Sequence, residues 1–210
     1  MLKKQIYSKK YENFDIKSSF YKNNKFYLEN SKKINKNYSK QPKRKFCKNC
    51  NYKLSGKSFK SFKIKYVICK NCNHLNGIYE DSSEFVKFLY TEKEGKNYYK
   101  NYFNDFEKRI SKIYIPKVDF LIKTLKNKRL NLLDIGSGAG HFLKSCEIKK
   151  IPAIGYEPNK ILCKLAQKKL NKNKIFHINL EEIYSIVENS KSNCLSLIGV
   201  LEHLQKPHKL

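Results

Sequence analysis

Four of the seven cysteines fall into two matched pairs, Cys47-Lys48-Asn49-Cys50-Asn51 and Cys69-Lys70-Asn71-Cys72-Asn73. About 18 residues lie between the pairs, inside the C-x2-C to C-x2-C window of a tetrahedral zinc site. Two thiolates three positions apart grip one ion only if the chain turns sharply after the second. Such a turn tends to need positive φ, and Asn, here Asn51 and Asn73, tolerates it best after glycine. The expectation is a structural Zn2+ on Cys47, Cys50, Cys69 and Cys72, in a closed shell without catalytic work. Metal pairs of this kind point to a reducing compartment and hence the cytoplasm, not to a disulfide framework. Cys146, Cys163 and Cys194 sit in apolar segments and read as small core residues. His74 follows the second pair, but four cysteines already complete a shell, so it is read as structural.

A second stretch carries different chemistry. Leu132-Leu133-Asp134-Ile135-Gly136-Ser137-Gly138-Ala139-Gly140-His141-Phe142 is an apolar run, an acid, alternating glycines and then an apolar periodic segment. It reads as a buried strand, a tight turn and a helix start. Glycines let backbone approach a ligand closely and aim helix N–H groups at it. About twenty residues on, Glu157 ends the next strand, where a carboxylate can take both hydroxyls of a ribose. The third strand ends at Asn179-Leu180, where a side-chain amide and a backbone N–H could read an adenine edge. A nicotinamide or flavin site shares the first two features, but its fingerprint wants glycine at position 141, which is His141.

The pattern Asp134-x-Gly136-x-Gly138-x-Gly140 resembles motif I of the class I S-adenosylmethionine-dependent methyltransferases. Ile198-Gly199-Val200-Leu201-Glu202-His203-Leu204-Gln205-Lys206-Pro207 looks like a segment of the same family. The resemblance implies S-adenosyl-L-methionine as cofactor, held by Asp134, Gly136, Ser137, Gly138, Gly140, Glu157, Asn179, Leu180 and Val200. Asp134 would orient the turn and approach the cofactor's positively charged methionine end. His203, following the fourth strand, is the candidate base; its alternative is a helix-start residue that packs the turn. A four-cysteine element, a Tyr-rich helical link and then this core is a module order similar to enzymes that methylate nucleotide-activated sugars or surface-polysaccharide precursors. The implied partner is therefore a small-molecule or glycan-precursor acceptor. Two departures stand out: Asn193 occupies a position before strand four that is commonly Asp, and family members continue past strand four. The expectation is a truncated product, a split gene product or a piece whose sheet a partner chain completes.

The elements that must position these residues follow from periodicity. Ser58 to Ile68 reads as a strand with Phe59, Phe62, Ile64, Tyr66 and Ile68 apolar, part of a zinc ribbon over 46–80. Asp81-Ser82-Ser83-Glu84 is a capping signature before a helix to about Thr91. Tyr98, Tyr99, Tyr102, Phe103, Phe106 and Ile110 recur at helical spacing. Pro116 is expected to open the next helix, closed by positive charge at Lys126 to Arg129. These make 81–128 a Tyr-rich helical linker. From 129 to 210, strands (130–135, 153–157, 174–178, 194–200) alternate with helices (141–149, 159–170, 181–187). Short apolar strands alternating with amphipathic helices mean βαβ units. The fold class expected is α/β, a partial Rossmann-like parallel sheet in order 3-2-1-4, preceded by the zinc ribbon and helical linker.

Residues 1–45 show no sustained period and are read as a basic, flexible arm, with partial ordering by aromatics such as Phe26 and Tyr27 as the alternative. The net charge of +27 over 210 residues resembles a nucleic-acid footprint. Yet only Arg44, Arg109 and Arg129 are Arg, the residue best suited to bidentate phosphate and base contacts. Lys accompanied by much Asn, Ile and Tyr is a mixture that an AT-rich genome produces unselected. Nucleic acid is therefore a possible partner but not the favoured one. No apolar run approaches the roughly 20 residues of a membrane span. The readings carried forward are a sugar-precursor methyltransferase, an RNA-directed methyltransferase, and a non-catalytic remnant or ribbon binding module.

Overall fold

A computed structural model describes residues 24–90, 105–125 and 129–210. They form two compact units, 24–90 with 201–210, and 105–200. Tyr98, Tyr99, Tyr102 and Phe103, positions 126–128 and residues 1–23 of the expected arm lie outside the described residues. No helix among the described residues is long and apolar enough to cross a membrane.

The first unit opens with helix α1 (Asn24–Tyr38). Helical order inside the expected arm is a correction, and its source is tertiary. Phe26 remains 51% exposed. Tyr38 at the helix end is the anchor. Its hydroxyl donates to the Tyr79 carbonyl at 2.6 Å and its ring packs on Tyr79 and Phe85. Burial pushes this phenol up to about 12, so it stays a donor.

The ribbon is three antiparallel strands in chain order, β1 (Ser58–Ser61), β2 (Ile64–Ile68) and β3 (Leu75–Gly77). The single expected strand over 58–68 is thus a hairpin, paired Ser61 with Ile64. The break is a two-residue turn in which Phe62 (φ 48°) and Lys63 (φ 67°) both take left-handed backbone. That geometry matches strand twist in tight hairpins but is usually filled by Asn or Gly. The Asn35 amide on α1 secures it by donating to the Phe62 carbonyl at 3.2 Å. Helix α2 (Ser83–Tyr90) follows, where Ser82 rather than Asp81 caps, its hydroxyl accepting from the Phe85 N–H. Asp81 is engaged by Arg44 and Lys48 instead.

The second unit begins with α3 (Phe106–Arg109), a π-helical turn (Ile110–Tyr114) and α4 (Ile115–Leu125). Pro116 therefore does not open a helix. It lies inside a longer helical run whose ladder shifts just ahead of it, the Ile115 N–H reaching Ile110. A proline ring crowds the carbonyl four residues back, and a widened turn accommodates it.

The sheet is parallel: β4 (Leu132–Ile135), β5 (Ala153–Glu157), β6 (Lys174–His177) and β7 (Cys194–Ser196), in spatial order β6-β5-β4-β7. The expected 3-2-1-4 order is the observed one. Crossovers are α5 (His141–Ile148), α6 (Lys160–Lys169) and α7 (Ile183–Glu188). α6 is capped by Asn159, whose side chain accepts from Ile161 and Leu162. Every residue of β4 is buried, as a central strand of a parallel sheet requires. The core gathers Val118, Leu132, Leu143, Cys146, Ala153, Cys163, Ala166 and Ile175, with Cys194 partly buried against it. β7 stops at Ser196, shorter than the expected 194–200, because the chain turns at 197–200.

Candidate functional site

The glycine turn leaves β4 with Gly136, Gly138 and Gly140 all at positive φ (69°, 56° and 81°). Gly136 is demanded twice over. Besides its backbone conformation, a Cβ there would lie 2.4 Å from Val200 Cγ2. Val200, read from sequence as a cofactor residue, is thus the side chain packed on the first turn glycine. Gly155 is a glycine position that the sequence reading missed. A Cβ there would meet Leu143 and Ser137 Oγ, each at 2.4 Å. It sits mid-strand, where glycine otherwise weakens a sheet, and that is the signal that a close approach occurs.

Two carboxylates converge on the turn. Asp134 is buried, accepts from the Ser196 hydroxyl opposite it on β7, and is raised to about 6, chiefly by burial. Glu157, 5% exposed at the end of β5, accepts from the Gly138 N–H and the Asn159 N–H, each at 2.7 Å. Burial lifts it to about 7; the two N–H groups oppose the rise and Asp134 adds to it. Asp134, Ser137, Gly138 and Glu157, expected together from their spacing, are adjacent in the structure. The difference lies in where the N–H groups go. Gly136 and Ser137 donate to the Tyr156 carbonyl, Gly138 to Glu157 and Gly140 to Ser137. These donors are satisfied within the protein, and those of Gly136, Ser137 and Gly138 tie the turn to β5 instead of standing open toward a ligand.

His141 is sandwiched by Phe106 (4.4 Å) and Tyr114 (5.2 Å). Burial, then Arg109, pulls it down to about 4, so the ring is neutral. Asn179, expected to read an adenine edge, makes a capping box with Glu182 at the 3-10 turn Leu180–Glu182. Leu180 sits at the first position of that turn. A cavity of about 340 Å3 is lined by Lys117, Phe120, Leu121, Phe142 and residues 194–198.

His203 belongs to the other unit, in the 3-10 turn Leu201–His203. Burial and Lys48 lower its pKa while Glu202 and Asp81 oppose them. Lys48 Nζ donates to the Glu202 carbonyl, and His208 meets the Lys48 carbonyl.

The four paired cysteines also come together. All four sulfurs lie within 4.8 Å of one another, with Cys47–Cys72 at 3.6 Å and Cys50–Cys69 at 3.8 Å. Zinc–sulfur bonds of 2.3 Å in a tetrahedron put sulfurs about 3.8 Å apart, so the donor set fits the metal. Each knuckle is built alike. Asn51 (φ 54°) and Asn73 (φ 58°) donate to the carbonyls of Cys47 and Cys69, and those cysteines' N–H groups reach Tyr52 and His74. Asn71 leads in drawing Cys50 down to about 6. For Cys72, the His74 N–H favours the thiolate, but burial and the Cys50 and Cys47 sulfurs outweigh it, pushing it up to about 11. Thiols this crowded do not all ionise unless a cation sits among them. Missed from the sequence was Asn76, 2% exposed, whose amide donates to Cys47 Sγ and whose oxygen accepts from the Lys48 N–H.

A family model described as "Methyltransferase domain" matches residues 106–210. No curated protein matches the chain. Similar solved structures include the bifunctional kinase-methyltransferase WbdD (19% identity, TM-score 0.34, 42% of this chain and 20% of that one). Others are the plantazolicin methyltransferase BamL with SAH and a triazolic desmethylPZN analog (19%, 0.39, 52% and 42%) and a SAM dependent methyltransferase from Archaeoglobus fulgidus (18%, 0.36, 54% and 52%). The chain thus spans about a fifth of WbdD and about half or less of the other two.

Proposed function

The chain belongs to the methyltransferase-domain family, and on that premise we propose that it is an S-adenosylmethionine-dependent methyltransferase acting on a nucleotide-sugar or surface-glycan precursor. The observation that carries the cofactor reading is the Gly138–Glu157 contact. It fixes the glycine turn at the carboxyl ends of adjacent parallel strands, beside a second buried acid, Asp134. Ligands of open α/β sheets bind at that end. The residues fit a cofactor that carries ribose hydroxyls at one end and positive charge at the other.

S-adenosylmethionine, when bound, would supply an activated methyl group to the acceptor nucleophile, with S-adenosylhomocysteine as the leaving group. The chain's own residues hold and orient. Glu157 would take ribose hydroxyls, and Asp134, braced by Ser196, would keep negative charge near the methionine end. Asn179, Leu180 and Val200 remain proposed contacts on the sequence pattern alone. His203 is proposed as the acceptor's base because it follows the strand-four segment; its depressed pKa leaves the imidazole neutral near pH 7 and able to take a proton. Cys47, Cys50, Cys69 and Cys72 would hold a structural Zn2+ that folds the ribbon. The module order supports the sugar-precursor acceptor.

Titration calorimetry with S-adenosylhomocysteine tests the cofactor reading. Saturable binding that Gly138→Asp abolishes is expected. No binding, or binding that Gly138→Asp leaves intact, removes it.

One observation favours an RNA acceptor. The ribbon exposes Phe59, stacked on Tyr66, and Phe62, 63% exposed, among lysines. Aromatic platforms with cations bind single strands. That reading requires RNA affinity that falls steeply with salt.

A further inference from the structure

The two CxxC knuckles do not share their second cysteines' environment with the first. Cys47 and Cys69 are 1% and 0% exposed, whereas Cys50 and Cys72 are only half-buried. Burial shields the first pair from solvent and oxidants, and Asn76 adds an amide to Cys47. The second pair needs another form of cover. The structure supplies it crosswise. The Asn49 amide, from the first knuckle, reaches Cys72 Sγ of the second at 3.7 Å. The Asn71 amide, from the second knuckle, reaches Cys50 Sγ of the first at 3.6 Å.

We propose that Asn49 and Asn71 form a reciprocal amide clasp over the metal centre, each holding the half-buried thiolate of the opposite knuckle. The inference rests on the zinc reading and extends it to residues that are not ligands.

The physics is direct. Four thiolates on one dication leave the site with net negative charge, concentrated on sulfur. N–H donors spread that charge, lowering the sulfur's nucleophilicity and proton affinity. Both asparagines are exposed side chains with no core to fill, so their sulfur contacts are what distinguishes them. The crossing also has a mechanical consequence. Each knuckle grips the other through a side chain as well as through the ion, so an error in one loosens the other. Their place in the repeat explains the coincidence: each is the third residue of a Cys-Lys-Asn-Cys-Asn copy, and pseudo-twofold packing of equal copies makes the contacts reciprocal. Asn49 and Asn71 are thus positioning residues acting through the cysteines.

The full chain loaded with Zn2+, and separately with Co2+, tests this with Asn49→Ala, Asn71→Ala and the double variant. Removing such an outer partner lowers metal affinity on the order of tenfold. The expected single-variant result is a tenfold faster release of zinc to a chromogenic chelator under peroxide. The sulfur-to-cobalt charge-transfer band should move, and alkylation mapped by mass spectrometry should rise at the opposite knuckle only, Cys72 for Asn49→Ala and Cys50 for Asn71→Ala. Unchanged release and spectrum in a chain that binds one zinc would overturn the clasp and leave the zinc site standing. Enhanced alkylation within the same knuckle would overturn the crossing. A wild-type chain that takes up no zinc or cobalt would overturn the zinc reading itself and the clasp with it.

Discussion

The cysteine ribbon and the glycine turn solve one problem, holding a tight turn rigid, by opposite means. In the ribbon the turn-forming Asn51 and Asn73 sit beside sulfurs, and the buried apolar set is small, Ile64 and Val67 with the cysteines. Around the glycine turn, Leu132, Phe142, Leu143, Ala166 and Ile175 belong to one continuous core, and backbone N–H groups tie the turn to the neighbouring strand. A ribbon with so little apolar burial would take its folding energy from the proposed metal, while the parallel sheet draws the same rigidity from packing. The difference teaches where each site is vulnerable: ligand chemistry in one, volume and conformation in the other.

Metal removal should produce the largest effect. Stripping zinc, or Cys69→Ser, should cost the ribbon on the order of 10 kcal/mol and leave it unfolded. Hydrogen exchange over residues 58–77 reads this directly, and retained protection after chelation would erase the contrast. Next, Leu143→Ala should destabilise the parallel unit by about 2–5 kcal/mol in a denaturant titration while zinc content stays constant. A cost well below that range would mean that packing does not hold the turn.

Gly136→Ala sharpens the comparison at a single contact. Left-handed backbone costs about 1–2 kcal/mol and the overlap with Val200 about 1–3 more. Val200→Ala in the same chain should recover the overlap part alone, and strict additivity of the two variants would dissolve the assigned contact.

The acids give a pH signature. Glu157 is raised to about 7 and Asp134 to about 6, so the native state holds protons that the unfolded chain has released. Stability should therefore be full below the ordinary carboxylate range and decline as pH rises to about 7. Urea titrations at pH 5 and 8 should show this, with a shallower decline for Glu157→Gln. S-adenosylhomocysteine affinity should rise over the same interval as Glu157 ionises, and a flat affinity would detach Glu157 from the ribose. The smallest effect expected is from His203→Asn, which should lower turnover of a methyl acceptor without changing S-adenosylhomocysteine affinity. Equal loss of both would reassign His203 to structure.

Much was legible because it depends on local spacing. The Cys pairs with Asn51 and Asn73, the Asp134–Gly140 turn, Glu157 about twenty residues on and the 3-2-1-4 sheet all follow from periodicity and residue chemistry over short stretches. The hairpin at Phe62–Lys63 was not legible, since neither residue favours left-handed backbone and the support comes from Asn35 on a distant helix. The helical run through Pro116 was hidden because a proline reads as a start unless the π turn before it is seen.

By itself, then, the sequence determined which atoms could bind metal and which turn could face a cofactor, because residue type and interval set those possibilities. Only the tertiary structure decided how they are held. It turned the N–H groups of the glycine turn inward, gave Glu157 to Gly138, set Val200 against Gly136, and crossed Asn49 and Asn71 between knuckles. Contacts between groups far apart in the chain depend on how strands and loops pack, and no short-range pattern encodes them.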